Sequence, residues 1–222
     1  MQYCYQYPHP AVTTDIVIFT IQHQQLHVLL IRRGNPPFQG QWALPGGFVD
    51  IDEDLDTCAK RELFEETDLR DVYLEQLYTF GQHNRDPRER IITVAYYALI
   101  PVDKLQPKAG SDADEVRWFA VDDLPQLAFD HKLIINTARE RVAAKASYST
   151  IAFQFLGGEF TLSELQDVYQ ILKNETLDKR NFRKWIQSLN CLEETGTLRR
   201  NGLHRPAKLY RPKQPHSVEI IK

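Results

Sequence analysis

The sequence is poor in the features that mark export or membrane residence. Only three cysteines, Cys4, Cys58 and Cys191, occur in 222 residues. Their odd number, wide spacing and lack of any C-x-x-C pair argue against a disulfide framework and against a zinc site. Long apolar runs are missing as well. The longest, Ile91 to Val102, is broken by Thr93 and Pro101, well short of the roughly 18–20 residues that cross a bilayer. The opening residues MQYCYQYPHP have neither the basic start nor the apolar core of a secretory signal, so a cytoplasmic location is expected. There is no internal repeat or low-complexity tract. Nor does one charge sign dominate, since 27 Lys+Arg face 30 Asp+Glu for a net charge of -3. With 42% hydrophobic and 11% aromatic residues, global disorder is excluded.

What is present is unevenly distributed. Residues 1–146 hold 15 Lys+Arg against 22 Asp+Glu, a net of -7, whereas residues 147–222 hold 12 against 8, a net of +4. Opposite signs in two regions suggest two jobs. The length fits one medium and one small domain.

Residues Thr13–Thr20 and Leu26–Arg33 are short and β-branched around a polar QHQQ insert, the pattern of a hairpin. Gly34–Gly47 is rich in Gly and Pro and predicts a loop close to a ligand. Asp54 then caps a helix with Leu55, Ala59 and Leu63 at spacings of four. Leu74–Phe80, Ile91–Ile100 and Val116–Val121 read as strands. Asp130–Ala146 predicts a helix with Leu133, Ile134, Ala138 and Val142 along one side.

The acidic helix carries the chemistry. Glu62, Glu65 and Glu66 are spaced i, i+3 and i+4, which places three carboxylates on one helical face. They repel one another unless a cation intervenes, and hard oxygen donors of this kind suit Mg²⁺ or Mn²⁺. Glu53 is a further candidate ligand, and Arg61 is placed to orient the cluster. The bland alternative is a solvated acidic face. The run Gly47, Glu53, Arg61, Glu62, Leu63, Glu65, Glu66, Asp68, Leu69 resembles the Nudix box G-x5-E-x7-R-E-U-x-E-E-x-G-U, departing only at Asp68, where the family has Gly. That resemblance implies a Nudix α/β/α sandwich with a mixed sheet, a nucleoside-diphosphate-linked ligand and, in an active member, Arg61, Glu62, Glu65 and Glu66 in catalysis. Asp tolerates the left-handed conformation usual at that helix end.

Around the box, Arg32, Arg33, Arg85 and Arg88 are candidates for phosphate contact, with surface solubility an equal reading for any one of them. Gly46 and Gly47 allow close backbone approach. Phe38, Trp42 and Phe48 flank that turn, where an aromatic ring stacks on a base or packs in the core. Asp112, Asp114 and Glu115 are open candidates for a general base.

The C-terminal region has a different texture. Thr161 and Glu164 form a T-x-x-E capping box before a helix carrying Leu162, Leu165, Val168 and Leu172. Asp178 caps a second helix whose inner face is Phe182, Trp185, Ile186 and Leu189. The segment 191–213 alternates around Asn201-Gly202 like a two-stranded wing. Residues 173–213 hold 11 Lys+Arg and 4 Asp+Glu, a net of +7, an electrostatic footprint for phosphate backbone. Helix, helix and hairpin in that order predict a winged helix-turn-helix. Lys179, Arg180, Asn181, Arg183 and Lys184 would face DNA from the second helix, and Arg199, Arg200, His204, Arg205 and Lys208 from the wing.

Residues FTLSELQDVYQILKNETLDKRNFRKWIQSL and RRNGLHRPAKLYR, with the N-terminal HPAVTTDIVIF and RDPRERIITVAYYAL segments, resemble the Nudix-related transcriptional regulator (NrtR) family over nearly the whole chain. That resemblance implies a homodimeric bacterial repressor that binds palindromic operators near genes of NAD synthesis or salvage and is released by ADP-ribose; sister groups govern sugar catabolism. The expected organisation is a ligand-sensing domain at 1–147, a DNA-binding domain at 148–213 and a tail at 214–222. The rival is an active Mg²⁺-dependent ADP-ribose pyrophosphatase with an accessory domain.

Overall fold

Two β-branched runs open the chain as a hairpin of β1 (Ala11–Gln22) and β2 (Gln25–Arg33). Its tip, His23 and Gln24, has φ values of 51° and 60°, and two successive left-handed residues give the turn whose twist suits a right-handed strand pair. A computed structural model of the chain describes residues 6–101, 113–200, 206–215 and 217–221.

The main sheet has the order β3 (Trp42–Ala43), β2, β1, β6 (Ile91–Leu99), β5 (Tyr73–Phe80), with β4 (Gly46–Phe48) paired to β1 and β7 (Ala113–Ala120) paired to β2. The Thr93 hydroxyl donates to Thr13 O at 3.2 Å and the Thr20 hydroxyl to Ile100 O at 2.9 Å. Both links join residues eighty apart, so β1 and β6 run in the same direction. The pairs β1–β4, β2–β3 and β2–β7 are antiparallel, and the sheet is therefore mixed. Every residue of β1 from Thr13 to Thr20 is buried. A strand without alternation is covered on both faces, as in an α/β sandwich.

Helix α1 (Leu55–Thr67) begins where the Asp54 carboxylate accepts the Thr57 N–H at 2.8 Å. It ends at Asp68, with φ 58° and ψ 20°, whose N–H donates to Phe64 O at 2.8 Å. Its buried face is Cys58, Ala59, Glu62, Leu63, Glu66 and Thr67, and it packs on β4. Helix α2 (His131–Ala146) buries Ile134, Ala138 and Val142 as expected but leaves Leu133 52% exposed. Its buried stripe runs through His131, Ile134, Ile135, Ala138 and Val142, and Leu133 lies about 100° to one side of Ile134.

The chain divides into two compact units, one of Met1–Phe19, His27–Ala98 and Gln106–Ala138, the other of Thr20–Leu26, Leu99–Leu105 and Arg139–Lys222. Within the second unit a 3₁₀ turn (Thr150–Phe155) leads to β8 (Phe160–Thr161), α3 (Leu162–Lys173), α4 (Lys179–Ser188), β9 (Leu192–Arg199) and β10 (Ala207–Pro212). The three strands pair in the order β8, β10, β9. The Thr161 hydroxyl accepts the Glu164 N–H at 3.2 Å while the Glu164 carboxylate accepts the Thr161 N–H at 2.7 Å, a complete capping box. Asp178 accepts the Asn181 N–H at 2.8 Å to start α4. Tyr169, Phe182 and Trp185 pack ring against ring, with centroids 5.2–5.8 Å apart. The tail also has a place, since Thr150 N donates to Glu219 O at 2.9 Å and Ile221 N to Tyr148 O at 2.8 Å.

Candidate functional site

Strand alternation decides which of the candidate residues meet. In β2 the side chains of Ile31 and Arg33 line a cleft of about 410 Å³ in the first unit, so Arg32 between them points to the opposite face of the sheet. Trp42 lies opposite Arg32 in register and shares that face, where it packs edge-on against Phe119 at 4.7 Å. Arg32 and Trp42, expected at the ligand, stand outside the cleft. Glu115, a candidate base, is also in register with Arg32 and pairs with Arg117 and Arg32. Asp112 and the side chain of Asp114 lie outside the described residues.

The cleft itself gathers Arg33, Gly46, Gly47, Phe48, Arg61, Glu62, Glu65, Glu66, Arg85 and Arg88. Its floor is a buried ionic network. Arg85, with a side chain only 4% exposed, forks onto Asp130 at 2.7 and 3.0 Å and reaches Asp15 Oδ2 at 3.3 Å. His131 Nδ1 accepts the Leu44 N–H at 2.8 Å. Complete burial lowers the His131 pKa below 6.5, against the pull of Asp15 and Asp130, so the ring is neutral with its proton on Nε2, 3.6 Å from Asp15 Oδ1.

At the rim, Phe129 has a guanidinium on either hand, Arg33 at 4.9 Å and Arg88 at 5.7 Å from its ring centroid. Arg88 also lies 5.4 Å from Phe48 and forks onto Asp86 at 2.8 and 3.0 Å. Arg33 donates to Pro37 O at 2.9 Å and to Asn35 O at 3.4 Å. Burial, followed by the like charge of Arg88, lowers its pKa. Arg88 is thus matched by Asp86, whereas Arg33 has aromatic surface beneath it and no carboxylate bonded to it among the described residues, a setting that favours an anion at Arg33.

The facing wall is organised by Arg61. Its guanidinium donates to Glu53 at 2.5 and 3.1 Å, to Glu62 at 2.7 Å, to Glu65 at 3.1 Å and to Phe48 O at 3.1 Å. Those bonds, first of all the one to Glu53, raise the Arg61 pKa. They also hold the Glu53 carboxyl down at about 2, helped by the Asp50 N–H, while burial pushes Glu62 up. Glu66 accepts the Gly46 N–H at 2.8 Å. A Cβ at Gly47 would stand 2.2 Å from Glu62 Oε1, so a larger residue there would displace the Glu62 carboxylate. Glu62 and Glu66 are buried and Glu65 is exposed.

These hard oxygen donors match Mg²⁺ or Mn²⁺ in kind. Their arrangement does not, since Arg61 engages Glu53, Glu62 and Glu65, and among the described residues no three acidic, His or Cys side chains converge to hold an ion.

In the second unit, Lys179, Arg180, Asn181, Arg183 and Lys184 are all exposed on α4. The wing residues are differently placed. Arg199 donates to Glu164 Oε1 at 2.8 Å and to Glu159 O at 3.0 Å, and Lys208 pairs with Glu194 at 2.9 Å. Arg200 is exposed; His204 and Arg205 lie outside the described residues.

Sequence reasoning missed Asp15, Asp86, Phe129, Asp130 and His131. Asp15 had a signal, being a lone carboxylate in the β-branched run TTDIVIF, where a charge is rarely buried without a partner. The others are identified only once the fold brings them to the same cleft.

Residues 9–138 match the NUDIX domain family and residues 152–211 the NrtR DNA-binding winged helix domain family. An ADPR responsive transcriptional repressor NtrR of Acinetobacter baylyi is 38% identical over 92% of this chain and 83% of its own. The crystal structure of Shewanella oneidensis NrtR complexed with a 27mer DNA has a TM-score of 0.80 at 39% identity, covering 91% of this chain and 93% of that one. The NUDIX domain of the same Shewanella protein complexed with ADP ribose is 41% identical over 61% of this chain and 90% of that one, with a TM-score of 0.57.

Proposed function

Starting from a chain that belongs to the NrtR family, with a Nudix domain followed by a DNA-binding winged helix, we propose that it is a transcriptional repressor whose Nudix cleft senses ADP-ribose or a related nucleotide. Residues 1–147 are the sensor and 148–213 the reader. The observation that carries this reading is the pairing of a cleft in which Arg33, with no carboxylate bonded to it, stands with Arg88 beside Phe129, and an exposed basic helix on the same chain. A diphosphate between two ribosyl groups supplies the negative charge that Arg33 lacks, and Phe48 and Phe129 offer apolar surface to a base. The protein acts as a homodimer on a palindromic operator near genes of NAD synthesis or salvage. Ligand releases DNA only by binding the DNA-free geometry better than the DNA-bound one.

Gel shift of duplex DNA at low and high salt, with and without ADP-ribose, tests the reading. Binding that weakens with salt and is lost on adding ADP-ribose is expected; no duplex binding at low salt would overturn it. The nearly complete box supports a second reading, a pyrophosphatase that cleaves ADP-ribose. Release of AMP in the presence of Mg²⁺, abolished by Glu62→Gln with Glu66→Gln, would establish that activity; turnover surviving both changes would exclude these glutamates from it.

A further inference from the structure

Four side chains of α4 form an unpaired stripe. Phe182 and Ile186 are buried and Trp185 and Leu189 half-buried, which fixes the inner face of the helix. At about 100° per residue, the direction opposite that face falls between Arg180 and Lys184, and Gln187, about 20° from Arg180, continues an outer line that runs through Arg180. Arg183 and Lys184 lie on either side of it, and all four are exposed with no side-chain partner among the described residues. These four residues also line one shallow groove on the outer surface of the helix. The wing contrasts with this, since Arg199, Lys208 and Arg211 are engaged by Glu164, Glu194 and Glu193. Among the described residues of α4 and the wing, the exposed side chains free to meet a new partner include these four and, on the wing, Arg200.

Arg180 and Gln187 share one outer line of the helix and bring together a guanidinium and a carboxamide. A guanidinium fork matches O6 and N7 of guanine, and a carboxamide matches N6 and N7 of adenine. Seven residues of helix rise about 10.5 Å, close to three base-pair steps of about 3.4 Å. We propose that Arg180 and Gln187 are the base-reading pair of this protein, Arg180 on a guanine and Gln187 on an adenine about three base pairs away in one major groove. Arg183 and Lys184 hold the phosphates on the two sides. The assignment rests on the DNA-binding reading above and adds the chemistry of its specificity.

Selection of duplexes from a random pool by the full-length protein tests it, run in parallel with Arg180→Ala, Gln187→Ala, Gln187→Glu and Arg183→Ala. The unaltered protein should enrich a half-site with guanine and adenine about three base pairs apart. Gln187→Ala should keep the guanine and lose about tenfold discrimination at the adenine, and Arg180→Ala should do the reverse. Gln187→Glu should exchange the adenine preference for cytosine, whose amino group donates to a carboxylate. Arg183→Ala should select the same sequence with lower affinity. Identical pools from the unaltered protein and both Gln187 variants would overturn the assignment and leave DNA binding standing. Failure of the unaltered protein to bind any duplex at low salt would instead remove the repressor reading, and this inference with it.

Discussion

His131 accepts the N–H of Leu44 across 87 positions of sequence, at 2.8 Å and in full burial. This bond pins the start of α2 to the residue that leads into the glycine turn of the cleft. The ring is neutral in the folded protein and its pKa lies below the 6.5 of a free histidine, so the unfolded chain binds the proton more tightly. Stability from this group is complete above about pH 6.5 and is lost as the pH falls toward the folded pKa, with a slope of up to about 1.4 kcal/mol per pH unit. Urea unfolding between pH 5 and 8 should show that loss, and His131→Gln should flatten it. An unchanged pH profile in the variant would assign the acid sensitivity to other groups.

Asp68 occupies the left-handed cap of α1 at φ 58°. Replacing it with Gly should remove the Cβ cost and raise stability by about 0.5–1 kcal/mol. A thermal melt decides this, and a fall in Tm would mean that the Asp68 side chain contributes more than its backbone costs.

Arg61 is the counter-charge of the buried Glu62. Arg61→Ala should lower stability by about 1–3 kcal/mol, between the values for exposed and buried pairs. The double variant with Glu62→Gln should recover part of the loss, because the buried charge goes with its partner. Chemical denaturation of the four proteins gives the coupling directly; strictly additive losses would show that the pair is not coupled.

Gly46 has φ 149°, and a Cβ there would stand 2.0 Å from Thr14 O on the neighbouring strand. Gly46→Ala should cost more than about 3 kcal/mol, as the β1–β4 pairing must open. Soluble protein with an unchanged melting temperature would contradict that packing.

Arg183 is unpaired on α4 whereas Arg199 is tied to Glu164 and Glu159. In duplex binding followed against salt, Arg183→Ala should reduce the log–log slope by about 0.9, one phosphate contact. Arg199→Ala should leave the slope unchanged and lower the stability of the second unit by less than about 1 kcal/mol. A reduced slope for Arg199→Ala would show that it leaves Glu164 for DNA.

Local rules carried much of this architecture. Asp54, Asp68, Thr161, Glu164 and Asp178 mark helix ends through bonds to neighbours three or four residues away, and those bonds are present. What needed the fold was direction. The twofold alternation of a strand is visible in the sequence, but which of Arg32 and Arg33 meets the cleft depends on the helices that cover each face. The acidic box was legible as spacing, whereas burial of Glu62 and Glu66 beside exposed Glu65 is set by the packing of α1 on β4. Arg199 read as a DNA contact because its partner lies 35 residues earlier. Leu133 satisfied a helical period and still faces solvent, one residue away from the stripe that packs.

The Asp15–Arg85–Asp130 floor has a thermodynamic consequence for whatever enters the cleft. Arg85 is almost fully enclosed and held from two sides, so its dipoles are already aligned before a ligand arrives. The ordering entropy of binding then falls on the half-exposed Arg88, on Phe48 and on the ligand itself. Changes that loosen the floor should weaken binding through entropy even where no contact to the ligand is lost.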